Sequence, residues 1–138
     1  MSLDFQVLSL GDLDEVYTFA EHQFQKQMLE QEKEENDARL LLWHVPWRKE
    51  ALEHYLKQGW SFIARDGGKV VGFYLAQPFL FFRGQTQTLW IEHIEGTDQT
   101  VIDSLLDIAT RVAREKHLQR VLTTDGAQGL REIKTTKG

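Results

Sequence analysis

Residues 60–125 read as strand, strand, strand, long helix and strand, with a polar turn at each junction. That order leaves few ways to fold. Consecutive strands joined by tight turns make an antiparallel meander, whereas a helical crossover into the next strand makes the last pair parallel. Residues 60–65 form the first strand, Asp66-Gly67-Gly68 is a hairpin signal, and 70–75 form the return strand. Pro78 cannot donate to a ladder, so the chain must bend, bulge or run along an unpaired edge before 79–82 continue it. Arg83-Gly84-Gln85 makes the next turn, and 86–94 form the third strand. After the break at Gly96-Thr97-Asp98, Val101, Leu105, Ala109 and Val112 begin a wide apolar stripe. Asp98 at its front and Arg114, Lys116 and His117 at its back suit the helix dipole. Arg120–Thr124 is then a strand returning beside 86–94.

Upstream, Phe5, Val7 and Leu8 suit a short strand, and Asp12 with Glu15 resembles a capping box opening a first helix. Leu13, Val16, Tyr17, Ala20, Phe24 and Met28 give that helix one apolar face. Glu30, Glu32, Glu34, Glu35 and Asp37 then crowd together, as a solvated face or as a dock for a cationic substrate. Leu40, Leu41 and Leu42 lead into Trp43-His44-Val45-Pro46-Trp47, an aromatic hinge or, in a second reading, a substrate wall. Pro46 suits the first turn of a second helix carrying Leu52, Tyr55 and Leu56, and Gly59 suits its left-handed stop. Beyond Asp125 the chain is polar and basic, so 126–138 is expected to be a tail outside the packed body.

A length of 138 residues, with 41% hydrophobic and 11% aromatic residues, predicts one domain with a single core over 1–138. The net charge of -5 argues against a nucleic-acid ligand, which calls for clustered Lys and Arg. No cysteine is present, which removes disulfides, thiolate nucleophiles and zinc–thiolate sites. His22, His44, His54 and His117 lack the close spacing of a metal site, so no metal is expected. Ser61 and Ser104 lack a nucleophile elbow. No segment reaches membrane-spanning length and the N-terminus has no leader-like pattern, so the expectation is a cytoplasmic protein that does not bind membranes.

The order strand, helix, helix, meander, helix and strand resembles the GCN5-related N-acetyltransferase (GNAT) superfamily over about residues 5–125. Lys69-Val70-Val71-Gly72-Phe73 is similar to its third strand, and Leu89-Trp90-Ile91-Glu92-His93-Ile94 to its fourth. Ser104-Leu105-Leu106-Asp107 and Arg120-Val121-Leu122 are similar to its central helix and fifth strand. The resemblance implies an α/β (α+β) fold with a mixed sheet, and acetyl-CoA held in a splay between the fourth and fifth strands. It also implies a diphosphate site of type RxxGxG or RxxGxA at the start of the central helix, where unpaired amides and the dipole favour an anion. Aligned from Leu105-Leu106, the chain has Thr97 for the arginine, Thr100 for the first glycine and Ile102 for the last small residue. Asp98 adds a carboxylate there, and Thr97 or Asp98 is expected to cap the helix with an amide the cofactor would use. Each charge-assisted hydrogen bond lost is worth on the order of 1.5–3 kcal/mol, so the diphosphate grip is expected to be weak.

The resemblance also implies the site residues. Glu92 matches a family glutamate that serves as base, with His93 and Glu95 beside it. The backbone of Ile94 and Glu95 would pair with the pantetheine arm, and Thr97, Gln99 and Thr100 would lie along the diphosphate. Strand alternation puts Glu92 and Ile94 on one face, His93 and Glu95 on the other. The family's C-terminal helix, hairpin and proton-donating tyrosine have no counterpart, since no tyrosine follows Tyr74. A partner subunit in a homodimer would supply the missing wall, or the wall does not exist. Two functions remain open: an N-acyltransferase using acetyl-CoA or another acyl-CoA on a small-molecule or peptide amine, and a non-catalytic GNAT-fold protein used for ligand binding or subunit association. An unrelated α+β binding module sharing the meander is a third.

Overall fold

A computed structural model describes residues 3–30, 47–80, 87–124 and 130–133. The described elements are β1 (Leu3–Val7), α1 (Leu13–Glu30), α2 (Lys49–Gln58), β2 (Phe62–Asp66), β3 (Lys69–Leu80), β4 (Gln87–Gly96), α3 (Gln99–Glu115), β5 (Arg120–Thr124) and β6 (Leu130–Ile133). Six strands form one mixed sheet in sequence order. All neighbours are antiparallel except β4 and β5, which run parallel because α3 carries the chain back between them.

Each face of the sheet has its own core. Leu8, Val16, Trp47, Leu52, Phe73 and Leu75 are buried under α1 and α2. Tyr74, Leu89, Ile91, Val101, Leu105 and Val121 are buried under α3. Local chemistry explains the junctions. Gly67 and Gly68, at φ 60° and 86°, supply the two positive φ values that a tight hairpin needs. Gly59 ends α2 in the left-handed region at φ 77°.

Two expectations change. The cap ahead of α1 is Ser9 with Asp12, not Asp12 with Glu15, because a turn of 3-10 helix at Leu10–Asp12 precedes it. Glu15 instead takes two hydrogen bonds from the Arg65 guanidinium, at 2.7 and 2.8 Å. The supposed tail contributes β6, which pairs with β5, and its Ile133 packs on the α3-side core. Pairing supplied what the polar sequence there did not advertise. The acidic run beyond Glu30, the cluster Leu40 to Pro46 and the turn Arg83-Gly84-Gln85 lie outside the described residues. Pro78 stays inside β3, opposite Leu89, beyond Tyr74 where the pairing with β2 ends.

The Arg65 fork ties the β2–β3 hairpin to α1, reaching Asp12 at 3.4 Å as well. Its hydrogen bond is the main cause holding the Glu15 carboxyl below its ordinary 4.5. A depressed carboxyl contributes stability above its unfolded value and loses it as pH falls through the folded one. The stability difference between wild type and Arg65→Met should therefore be largest above pH 4.5 and shrink on acidification. Because Glu15 is half exposed, its size is at most about 1 kcal/mol, which urea titrations at two pH values will read.

Candidate active site at the bulge of β4

The parallel ladder between β4 and β5 runs from Thr88 opposite Arg120 to Ile91 opposite Thr123. It stops there. The buried Thr123 hydroxyl donates to the Ile91 carbonyl at 3.2 Å, closing the last rung. β4 continues to Gly96, so residues 92–96 have no β5 partner among the described residues.

At that point β4 carries one extra residue. Leu75 pairs with His93 and Ala76 with Ile91, which leaves Glu92 as the inserted residue of a β-bulge. Ile91 and Ile94, which strict alternation would put on opposite faces, both pack on the α3 side. The His93 ring lies 5.6 Å from that of Phe73, in the core under α1 and α2. Glu92 shares this face. It accepts a hydrogen bond from the Trp90 indole at 2.7 Å, and its charge is felt by Tyr55 of α2. The expectation that Glu92 and His93 face opposite ways is therefore corrected, and the bulge is the physical reason.

His93 Nε2 is 3.1 Å from Glu95 Oε1, and both side chains are largely buried. Tyr55 is buried, and its hydroxyl is pushed up to about 12, first by burial and then by the Glu92 charge. From α1, Gln23 Nε2 donates to the Gly96 carbonyl at 3.3 Å. The Thr97 amide donates to Val71 of β3 at 2.9 Å. Backbone groups alternate sides along a strand, so Glu95 points its own toward β3 while Ile94 points outward to the open edge. Of the two residues expected to meet an extended arm, Ile94 is the one whose backbone groups face that edge, which has no β5 partner among the described residues.

The turn into α3 is closed by its own groups. Asp98 is the N-cap and its carboxylate accepts the Val101 amide at 3.0 Å. Gln99 reaches Asp103, and the Thr100 carbonyl accepts from Ser104. Thr97, Gln99 and Thr100 are exposed around this turn. Removing the cap with Asp98→Ala should cost about 1 kcal/mol in chemical denaturation. A separate cavity of about 440 Å³ between α3 and β1, lined by Phe5, Asp103, Asp107 and Arg111 among others, lies away from Glu92.

Ser61 is occupied structurally, its hydroxyl accepting the Ala76 amide at 3.0 Å. Among the described residues no group of His, Asp and Glu could hold a metal ion, and no helix is long and apolar enough to cross a membrane. The contact of His93 with Glu95 has a sequence signal, the spacing of two residues that puts both side chains on one strand face.

Known structures share this architecture. The PaiA N-acetyltransferase of Thermoplasma acidophilum, solved with coenzyme A, superposes with a TM-score of 0.71 at 15% identity over 94% of this chain and 82% of that one. A ribosomal-protein-alanine N-acetyltransferase of Brucella melitensis gives 0.59 at 17% identity over 88% and 80%. An aminoglycoside acetyltransferase from an uncultured soil sample, bound to sisomicin, gives 0.62 at 16% over 91% and 78%. These likenesses show that the chain shares the mixed α/β fold of these acetyltransferases. No curated protein matches the sequence. A family model does match it across residues 3–130, and the chain accordingly belongs to the family described as "Protein of unknown function (DUF1999)".

Proposed function

We propose that the protein is an N-acyltransferase that moves an acyl group from an acyl thioester to an amine at the β4 bulge. The observation that carries this reading is the coincidence of a β4 edge that has no β5 partner among the described residues with Glu92 at its inner end. The residues present fit coenzyme A in part. An edge presenting Ile94 suits the pantetheine arm, whereas Asp98 brings a carboxylate to the α3 N-terminus and occupies one of its amides. We infer that the diphosphate is gripped weakly. The thioester, when bound, supplies an activated acyl carbon. Glu92 accepts the proton of the attacking amine, and Trp90 holds the carboxylate in one orientation. The cluster of Glu92 and Glu95 favours a cationic amine approaching from the α1 and α2 side. Ile94 offers an outward amide along the edge.

The test combines binding with turnover: melting temperature with acetyl-CoA, and release of free thiol with a panel of small and peptide amines. A rise in melting temperature together with amine-dependent thiol release supports the reading. The capped, acidic turn favours a second one, a non-catalytic member of the fold used for ligand binding. No melting shift at millimolar acetyl-CoA and no thiol release would select it.

A further inference from the structure

The transfer reaction needs a proton donor for the departing thiolate, and the tyrosines do not provide one. The chain has three. Tyr74 is fully buried in the core on the α3 side, opposite the face that holds Glu92, and burial pushes its hydroxyl further up. Tyr17 packs edge-on against Trp47 in the α1–α2 core with Lys49 above its ring. Tyr55 shares the Glu92 face, but burial and the Glu92 charge hold its proton tightly, up to about 12. Among the described residues, the His93 imidazole shares the Glu92 face and lies one residue from it on β4.

We propose that His93, held by Glu95, is the proton donor to the departing thiolate, with Glu92 as the separate acceptor of the amine proton. This rests on the transferase reading above. Three observations carry it. The bulge turns Glu92 and His93 to one face at the inner end of the open β4 edge, so a thioester lying against that edge is flanked by both. The two groups are kept apart in function by different partners, Trp90 at 2.7 Å from Glu92 and Glu95 at 3.1 Å from His93. Glu95 engages Nε2 at 3.1 Å, so in the protonated ring the proton assigned to sulfur is the one on Nδ1. In the reaction the amine lone pair forms the C–N bond and the C–S bond breaks, its electron pair leaving on sulfur. The nitrogen proton passes to Glu92, and the Nδ1 proton of His93 passes to sulfur. Exchange with solvent then returns both groups to their starting states.

The experiment compares two acetyl donors, acetyl-pantetheine and acetyl-thiophenol, with wild type and with His93→Gln at a fixed amine concentration. An alkyl thiolate needs a proton as it leaves; an aryl thiolate, far less basic, does not. The expected result is a loss of about 100-fold in kcat with acetyl-pantetheine and less than about 5-fold with acetyl-thiophenol. Glu95→Gln should show the same pattern more weakly, while Glu92→Gln should lose activity with both donors. Equal losses for His93→Gln with both donors overturn the assignment and leave the transferase reading standing. A wild-type protein that transfers from neither donor removes the transferase reading, and the assignment with it.

Discussion

Glu92→Gln lowers kcat for acyl transfer by about 100-fold or more, while the rise in melting temperature produced by the acyl donor persists. The substitution keeps the size of the side chain and an oxygen that can accept the Trp90 indole hydrogen, so the orientation seen at 2.7 Å survives. Only the ability to take a proton is lost. Folding is not expected to suffer, because Glu92 is the inserted residue of a bulge and opposes no partner of its own on β3. Two controls make the result interpretable. A weakly basic amine, which presents its lone pair without prior deprotonation, should recover part of the loss. Trp90→Phe, which removes the donor and keeps an aromatic ring, should give a smaller reduction. Turnover by Glu92→Gln within a few-fold of wild type would remove Glu92 from the chemistry.

The largest expected effect on folding comes from Gly72→Ala, about 3 kcal/mol of destabilisation and a melting temperature lower by roughly 10 °C. Gly72 pairs with Gly96 of β4 and lies under Val101 and Leu105 of α3. A Cβ there would lie 2.6 Å from Val101 Cγ1, 2.8 Å from the Glu95 carbonyl oxygen and 3.0 Å from Leu105 Cδ1. The Val101 methyl can rotate away; the backbone oxygen cannot move without shifting β4. Since that oxygen belongs to the strand that carries Glu92 and His93, activity should fall along with stability. Pairing Gly72→Ala with Val101→Ala should recover part of the stability and little of the activity, a non-additivity expected of groups in contact. A melting temperature within 2 °C of wild type would show that the strand and helix have room to separate.

Much of this fold is written in local pattern. The apolar stripe from Val101 to Ala113 has helical period, and Gly67-Gly68 supplies a turn only positive φ values can make, so α3 and the β2–β3 hairpin lie where the residues put them. β6 was not legible, because Leu130–Ile133 has only two apolar positions and owes its conformation to the edge of β5. The Arg65 clamp joins residues fifty positions apart, beyond any local rule. At the candidate site the residue types were readable, since Glu92, Ile94 and the altered turn at Thr97 and Asp98 stand out in the chain.

The sequence by itself determined the order of elements from β1 to β5 and the parallel closure through α3, and it narrowed the helix cap to Thr97 or Asp98, because periodicity, turn chemistry and capping act over a few residues. Which way the side chains of β4 face was decided only by tertiary structure. A bulge is a mismatch between two paired strands, and no single strand carries a record of it. By setting Ile91 opposite Ala76 and His93 opposite Leu75, the pairing of β3 with β4 turned Glu92 and His93 to one face.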